Sequence, residues 1–446
     1  MQAPSANPSG IKQSPFSVRL RPTVGLALAL LGVSTLLAPA ALAEFAGGDG
    51  HTCWVSTLTN TVECWGNNDS GQLGDGTLDT RAYPAPVTGL GPDPILAIGT
   101  GEAFTCALTI FGDMLCWGDN SQGQLGDGTR ISSLVPNPVA GLAGTVESFS
   151  PGRQHVCAVL TGGTAQCWGD NSTGQVGNNS FFDRLLPTNI AGLSGLVSNV
   201  ASGYDHSCAV TTSADAYCWG NNDFGQLGDG TFIQRLQPTP VIGLSFVGTR
   251  IGFVDRVAAG EFHTCIRTPT GEALCWGDNF SGQIGNADLI NAQTTPVAVV
   301  GLAGTIQQIE AGQEFTCALL TSGGVDCWGN NMDGQLGSGS LVNRFIPAPV
   351  TGLTSGVADI GLGDIHACAE MATGIRYCWG DSFYGQLGNG SNTTALFPIE
   401  VLEATPPHAV PLSLPAQVVL SLCLALAGIF LLTRHHSRIF STPSSL

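Results

Sequence analysis

Cysteine is the residue type whose spacing points most directly to chemistry in this chain of 446 residues. Fourteen of its 15 cysteines form seven pairs ten residues apart, or eleven in the first pair. In a β-hairpin with a short turn, two cysteines at this spacing lie directly opposite each other, close enough for a disulfide. Zinc sites use cysteines separated by roughly two to four residues, a spacing that these pairs lack. We therefore predict seven disulfides and an unpaired Cys423: Cys53–Cys64, Cys106–Cys116, Cys157–Cys167, Cys208–Cys218, Cys265–Cys275, Cys317–Cys327 and Cys368–Cys378.

Histidine precedes the first cysteine of five pairs by two residues, so a symmetric ring of imidazoles could bind a metal. In the other two repeats the same position holds Phe104 and Phe315. An aromatic ring that replaces histidine without disturbing the pattern argues for packing. We expect each histidine to pack in the core with a backbone hydrogen bond, and no metal or other cofactor to bind, with metal binding as the alternative: His51, His155, His206, His263 and His366.

Loops rich in Asn, Asp and Gly follow the second cysteine of each pair and faintly resemble calcium-binding loops. The segment from Asp119 to Asp127 is typical, but it lacks the spaced carboxylates and terminal glutamate that calcium prefers. Turns with positive φ require the same residue types. One glutamine recurs in every loop, and we expect it to bond the loop backbone: Gln72, Gln124, Gln175, Gln226, Gln283, Gln335 and Gln386.

Four arginines stand three residues before a proline and are further candidates for a site. They can pair with aspartates of the preceding loop, or they can form a cationic arc that contacts a partner. The chain has no G-x-S-x-G, no H-E-x-x-H, no Walker loop and no nucleotide-binding G-x-G-x-x-G, so we assign no catalytic residue. The candidate partner contacts are Arg81, Arg184, Arg235 and Arg344.

A repeated unit must position these residues. The tripeptide Cys-Trp-Gly recurs seven times at steps of 51 to 57 residues, with tryptophan at positions 65, 117, 168, 219, 276, 328 and 379. The unit that begins at Ile306 reads as a strand, a hairpin of two strands, a polar loop and a short fourth strand that can start with proline. Four strands repeated seven times predict an all-β, seven-bladed β-propeller, with the tryptophans in the core between blades.

The motif G-x-x-H-T-C-A-L, followed by C-W-G-x-N-x-x-G-Q-L-G-D-G-T, resembles the repeat of the regulator of chromosome condensation family. The resemblance covers roughly residues 45 to 402 and implies a seven-bladed propeller; the cysteine pairs depart from the family pattern. Within the family, nucleotide exchange on a small nuclear GTPase and inhibition of β-lactamases are known roles. Neither can be carried over residue by residue, because no matching motif stands in this chain.

The two ends of the chain predict export and anchoring. Residues 1–43 have the basic, apolar and small-residue regions of a signal peptide, with cleavage after Ala40 or Ala43. The propeller then spans 44–404. The tail 405–446 contains an uncharged apolar run at 416–432, followed by basic residues, which is typical of a transmembrane or sorting segment. We expect an exported protein of the cell envelope or cell surface, whose disulfides form in an oxidising compartment.

Charge and loop length restrict the partner. The body from Glu44 to Ala404 holds all 33 acidic residues, ten arginines and no lysine, which argues against nucleic acid. The longest connection between blades carries Phe246, Arg250 and Phe253, which we predict to contact a partner. The alternative is that Phe246 and Phe253 fold back and cover a gap between blades.

We expect a monomeric scaffold whose face loops bind a protein or glycan. The alternatives are a propeller hydrolase or lyase with a pocket on its central face and, by family analogy alone, a nucleotide exchange factor.

Overall fold

The computed structural model describes residues 45–56, 61–193, 195–244, 256–288 and 292–402. These residues form seven antiparallel sheets, each of four strands that pair in chain order. The first strand of each sheet lines the axis of the ring, and the fourth strand is the outer edge. This is the predicted seven-bladed propeller, with one sheet per blade.

The strands of the seven blades have the following bounds. Blade 1 contains β1 (Phe45–Gly47), β2 (His51–Val55), β3 (Val62–Gly66) and β4 (Arg81–Pro86); blade 2 contains β5 (Ile95–Thr100), β6 (Phe104–Thr109), β7 (Met114–Gly118) and β8 (Ser133–Pro138); blade 3 contains β9 (Val146–Pro151), β10 (His155–Leu160), β11 (Thr164–Gly169) and β12 (Arg184–Asn189); blade 4 contains β13 (Val197–Ser202), β14 (His206–Thr211), β15 (Ala216–Gly220) and β16 (Arg235–Pro240). Blade 5 contains β17 (Arg256–Ala259), β18 (His263–Arg267), β19 (Ala273–Gly277) and β20 (Gln293–Ala298); blade 6 contains β21 (Ile306–Ala311), β22 (Phe315–Leu320), β23 (Val325–Gly329) and β24 (Arg344–Pro349); blade 7 contains β25 (Val357–Leu362), β26 (His366–Met371), β27 (Arg376–Gly380) and β28 (Ala395–Glu400).

The prediction for the fourth strand was wrong in its start. We expected this strand to be able to begin at proline, but β4 begins at Arg81, three residues before Pro84. Arg81 pairs with Gly66 and Ala85 pairs with Cys64, so the register shifts between these two pairs. Proline is tolerated here because it lies at the irregularity of an edge strand, where its missing N–H breaks no ladder bond.

All seven predicted disulfides are present. The two cysteines of each pair are direct register partners in the central hairpin of a blade, as Cys317 and Cys327 are in blade 6. Their Cα atoms are 4.1 to 4.2 Å apart, which fits a non-hydrogen-bonded site of an antiparallel ladder. The sulfurs are buried. The seven bridges are Cys53–Cys64, Cys106–Cys116, Cys157–Cys167, Cys208–Cys218, Cys265–Cys275, Cys317–Cys327 and Cys368–Cys378.

The repeated tryptophans join neighbouring blades, as predicted. Each one is fully buried and donates its indole N–H to the backbone carbonyl of the loop glutamine in the preceding blade, at 2.7 to 3.0 Å. Burial satisfies the apolar ring and the hydrogen bond satisfies its one polar atom. The pairs are Trp65–Gln386, Trp117–Gln72, Trp168–Gln124, Trp219–Gln175, Trp276–Gln226, Trp328–Gln283 and Trp379–Gln335.

Blades 7 and 1 close the ring without exchanging a strand. The junction has contacts of its own: the guanidinium of Arg376 lies 4.0 Å from the ring centre of Trp54 and 3.1 Å from the Glu63 carboxylate. The Phe45 backbone N–H donates to the carboxylate of Asp359 at 3.3 Å. Because Arg376 is buried, its contacts with a carboxylate and an aromatic face offset the cost of removing its charge from water.

Both predicted targeting segments, 1–43 and 405–446, lie outside the described residues. The cleavage site after Ala40 or Ala43 and the apolar run at 416–432 therefore remain predictions. In the part of the chain that the structure describes, no helix has the length and apolar character needed to cross a membrane.

Candidate binding face

The strands alternate in direction, so the turns between first and second strands lie on the same face as the loops between third and fourth strands. We call this the front face, and we call the two kinds of segment axial turns and long loops. The axial turns are 48–50, 101–103, 152–154, 203–205, 260–262, 312–314 and 363–365; the described residues of the long loops are 67–80, 119–132, 170–183, 221–234, 278–288, 292, 330–343 and 381–394. The rear face carries the hairpin turns and the connections between blades, in so far as the described residues include them.

The axial turns come close to the buried histidines. A Cβ atom at Gly48 would lie 2.6 Å from Nδ1 of His51 and 2.5 Å from the carbonyl oxygen of Gly101. Only glycine fits this approach, which explains the fixed glycine three residues before each histidine. Main-chain bonds then join neighbouring turns, for example from the Glu102 N–H to the Arg153 carbonyl at 3.0 Å. The turns form a rigid ring around the axis.

The five histidines are structural, but their hydrogen-bond partner differs from the one predicted. Nε2 of His51 lies 2.9 Å from the hydroxyl of Thr105 in the next blade, which in turn donates to the carbonyl of Gln72 at 2.9 Å. Because the hydroxyl proton is used in that bond, His51 donates through Nε2. The expected backbone partner was therefore wrong, since the imidazole bonds a side chain of the neighbouring blade. The other pairs are His155–Ser207, His206–Thr264, His263–Thr316 and His366–Thr52.

The two phenylalanines that replace histidine are also matched to a residue of the next blade. The hydroxyl that bonds each histidine belongs to a Thr or Ser of the next blade. At that same position, the blade after Phe104 has Val156 and the blade after Phe315 has Ala367. A hydroxyl is present where the preceding blade offers an imidazole, and an apolar group is present where it offers a phenyl ring. Burial lowers the pKa of four histidines to about 3 and that of His366 to about 4, so the rings are neutral. Among the described residues, no group of three or more His, Cys, Asp or Glu side chains is arranged to hold a metal.

The loop glutamines act as predicted. The side-chain carbonyl of each one accepts the backbone N–H two residues earlier, as Gln72 does from Ser70 at 2.9 Å. The same bond recurs at Gln124, Gln175, Gln226, Gln283, Gln335 and Gln386.

The four arginines divide according to the loop that precedes them. Arg81 and Arg235 each pair at 2.7 Å with an aspartate six residues earlier, Asp75 and Asp229. At the matching position before Arg184 the chain has asparagine, and Arg184 donates to Ser180 at 3.2 Å. Arg344 follows a loop that has serine there. All four begin the outer strand of a blade, and their role as partner contacts remains a prediction.

The axial turns place seven side chains around the axis at one equivalent position, and sequence reasoning missed them. They are Asp49, Glu102, Arg153, Tyr204, Glu261, Gln313 and Asp364. The Tyr204 hydroxyl donates to the Asp364 carboxylate, and these residues belong to blades 4 and 7, so the bond crosses the axis. Arg153 pairs with Glu102 at 3.2 Å and lies 5.2 Å from the Tyr204 ring centre.

We call these seven side chains the axial cluster. Burial and mutual repulsion raise the pKa values of several of its carboxyl groups. Burial, reinforced by the negative charges of Asp49, Glu261 and Glu102, raises the pKa of Asp364 to about 7. Burial, with Glu314 nearby, raises the pKa of Glu261 to about 7 as well. Burial first, and then Glu102, raises the pKa of Asp49. A half-buried cluster of this kind attracts cations and takes up protons close to neutral pH.

The loop predicted to contact a partner, with Phe246, Arg250 and Phe253, lies outside the described residues. Its role remains a prediction.

The fold and its pattern of disulfides define a seven-bladed propeller stapled once per blade. A sequence profile for the RCC1-like domain matches residues 27–286, and profiles for the regulator of chromosome condensation (RCC1) repeat match 270–319, 306–335 and 322–369. The chain belongs to this family.

Relatives and solved structures agree. The chain is 31% identical to the ultraviolet-B receptor UVR8 of Arabidopsis thaliana over 363 residues, which cover 80% of each protein. It is 32% identical over 343 residues to the E3 ubiquitin-protein ligase HERC2 of Homo sapiens, covering 75% of this chain and 7% of that one. Human WBSCR16 superposes with a TM-score of 0.68 at 24% identity, covering 77% of this chain and 94% of that chain. Prp20p of Saccharomyces cerevisiae superposes with a TM-score of 0.68 at 20% identity, covering 77% of this chain and 86% of that chain. Its structure was described together with its binding to Gsp1p and histones.

Proposed function

We propose that this protein is an exported, membrane-anchored scaffold that binds a protein partner through its front face. One observation carries the proposal. The contacts between blades repeat around the ring, whereas the seven axial positions hold acidic, basic, aromatic and amide side chains. A repeated fold needs equivalent residues at equivalent structural positions, so a turn that keeps its backbone while its side chain changes from blade to blade is typical of a surface that recognises something.

Support for a protein partner comes from the family. The yeast relative Prp20p was studied for its binding to Gsp1p and histones, and another structure contains it bound to Kap60. Those partners belong to Prp20p. For the present chain they favour protein recognition over the glycan alternative, without naming the partner.

Export is supported by the two ends of the chain and by the disulfides. Seven bridges are typical of an oxidising compartment, and residues 1–43 and 416–432 have the composition of a signal peptide and a membrane span. Deleting 410–446 should release the propeller from membranes. A deletion variant that stays in the membrane fraction would refute the anchor, and the mass of the mature C-terminus distinguishes retention from cleavage.

The enzyme alternative has one observation in its favour, the two carboxyl groups with pKa values about 7 near the axis. Such groups can act as general acids or bases. The cluster already uses its polar groups internally, however, since Tyr204 bonds Asp364 and Arg153 bonds Glu102. We therefore place binding before catalysis.

The test neutralises the axial carboxylates without changing their shape. The full chain carrying Asp49→Asn, Glu102→Gln, Glu261→Gln and Asp364→Asn is used to capture partners from native membranes, next to the wild-type chain. A protein that the wild type retains should be lost, because the variant removes four negative charges from the face.

A matched control neutralises four exposed carboxylates at the rear face, by Asp93→Asn, Asp113→Asn, Glu147→Gln and Glu272→Gln. This variant should keep the partner. If both variants retain it, or if only the rear variant loses it, the front face is not the binding surface. A glycan array probed with the same proteins tests the alternative partner class. Loss of the partner by the variant Phe246→Ala, Arg250→Ala and Phe253→Ala in the same assay would favour the long connection, and not the front face, as the binding surface.

A further inference from the structure

One position in the long loops changes character around the ring. It lies four residues after each repeated tryptophan, and in blades 1 to 4 it is polar: Asp69, Ser121, Ser172 and Asp223. In blades 5, 6 and 7 it is Phe280, Met332 and Phe383. Three consecutive blades therefore place a large apolar side chain at the same point of the front face.

These side chains face solvent. Phe280 is 87% exposed, Met332 70% and Phe383 69%. Folding does not require them, because the equivalent loops of blades 1 to 4 close with Asp or Ser at the same place. Tyr384 follows Phe383 and meets it edge to face, with ring centres 4.9 Å apart. We call Phe280, Met332, Phe383 and Tyr384 the apolar arc. Large exposed apolar side chains that recur at one equivalent position in consecutive blades are typical of an interaction site.

The same half of the front face carries an excess of negative charge. Two arginines stand at its outer rim, where Arg235 pairs with Asp229 and Arg344 begins the outer strand of blade 6. The axial turns and long loops of blades 4 to 7 contain no lysine and no arginine. Their acidic residues are Asp205, Asp223, Asp229, Glu261, Asp278, Asp288, Glu314, Asp333, Asp364 and Asp381.

The carboxylates next to the arc are held in place. Glu314 accepts hydrogen bonds from Ser281 at 3.0 Å and from Asn330 at 2.7 Å, and Asp381 accepts one from Gln386 at 2.8 Å. An occupant therefore meets negative charge at fixed positions around exposed apolar side chains.

We propose that the partner docks on the apolar arc through a basic, amphipathic segment of polypeptide. This inference rests on the proposed function of the front face. Aliphatic or aromatic side chains of the segment pack against Met332 and the phenyl rings, which removes apolar surface from water. Its Arg or Lys side chains reach the surrounding carboxylates and the faces of Phe280 and Phe383, where the ring quadrupole attracts a cation.

Charge complementarity selects this occupant over the others. A second copy of the chain would bring an equally acidic face, and like charges facing each other oppose association. An anionic membrane surface or a nucleic acid is repelled for the same reason.

The experiment measures fluorescence anisotropy of short labelled peptides with the full chain at near-physiological salt. The probes alternate Arg with Leu, Arg with Ser, and Glu with Leu. The Arg-Leu peptide should bind at least about tenfold more tightly than the Arg-Ser peptide, because only the former has apolar groups to bury in the arc. The Glu-Leu peptide should not bind.

A triple variant locates the site. Phe280→Ser, Met332→Ser and Phe383→Ser should reduce the affinity for the Arg-Leu peptide to that for the Arg-Ser peptide, with an unchanged melting temperature. The matched control, Leu78→Ser, Ile131→Ser and Phe182→Ser, removes exposed apolar side chains from the long loops of blades 1 to 3 and should bind as the wild type does.

Equal affinity of the wild type for the two basic peptides, an unchanged triple variant, or an equal loss in the control would overturn the apolar arc as the docking site. The apolar arc can fail as the docking site while the proposed function holds. This is the case if the variant with neutralised axial carboxylates still loses the native partner. If neither neutralised variant loses a native partner, the proposed function itself fails.

Discussion

The junctions between blades and the front face are built from the same seven repeats, yet they follow opposite rules. At the junctions every blade uses a buried tryptophan that donates to a glutamine carbonyl, and within each blade a disulfide joins the central hairpin. On the front face, the equivalent axial positions hold residues as different as Arg153, Tyr204 and Glu261. The difference indicates where stability is concentrated and where the chain is free to specialise. Substitutions should therefore separate the two regions by their effect on unfolding.

The largest effect is expected at the junctions. Trp328 is fully buried and bonds Gln283 at 2.9 Å, so Trp328→Ala should lower the free energy of unfolding by about 4 kcal/mol through the cavity and the lost bond. Phe280→Ala, at an exposed position of the front face, should change it by less than about 0.5 kcal/mol. Urea unfolding measures both. A comparable loss in the two variants would contradict the division between junction and face.

Removing one disulfide should have the next largest effect. The pair Cys317→Ala and Cys327→Ala opens a loop of ten residues and should destabilise the protein by about 2.5 kcal/mol, since the unfolded chain gains conformational freedom. Full reduction should lower the melting temperature and leave partner binding intact at room temperature.

Mass spectrometry without reductant should find seven bridges within blades and a free Cys423. Several free thiols among the fourteen paired cysteines, or bridges between different blades, would refute this assignment.

Replacing a histidine and its hydroxyl partner tests a single hydrogen bond between two blades. His51→Phe alone should cost about 1 kcal/mol, because Thr105 loses a hydrogen-bond donor. His51→Phe with Thr105→Val copies the natural Phe104–Val156 pair and should recover most of that loss. If the double variant is less stable than the single one, the pairing rule does not hold.

The same histidine predicts a pH dependence. Its pKa falls from 6.5 to about 3 on folding, so below pH 6.5 the unfolded state binds the extra proton and stability is lost as the pH falls toward 3. The double variant lacks this group and should therefore lose about 2 kcal/mol less than the wild type between pH 7 and pH 5. Melting temperatures at the two values measure the difference. An equal loss in both proteins would show that His51 is not neutral in the folded state.

A small pH-dependent effect is expected on the front face. The pKa of Asp364 rises from 3.8 to about 7 on folding, so the folded state binds the extra proton and this group weakens the fold as the pH rises from about 4 to 7. Asp364→Asn should therefore gain about 1 kcal/mol relative to the wild type on going from pH 5 to pH 8, after allowance for solvent screening. Exposed Asp113→Asn serves as the control, and a pH response equal to that of Asp364→Asn would contradict the assignment.

Local contacts explain why so much of the fold could be predicted. Hairpins and disulfides join residues about ten positions apart, and β5, β9, β13, β21 and β25 begin where the apolar pattern placed them. The bond from His51 to Thr105 joins neighbouring repeats, and its signal was present in the sequence as the matched pair Phe104 and Val156. The axial cluster was missed because it combines seven distant turns, and the bond from Tyr204 to Asp364 spans 160 positions. Comparing the residues between each fixed glycine and the histidine or phenylalanine three positions later would have indicated it.

The central claim is that the front face, and not the junctions or the rear face, binds the partner. Hydrogen–deuterium exchange of the full chain, with and without the captured partner, tests it most directly. The proposal predicts slower exchange in the axial turns and long loops of blades 4 to 7, including 312–314 and 330–343, with unchanged hairpin turns on the rear face. Protection confined to the rear face, or spread evenly over both faces, would contradict the claim.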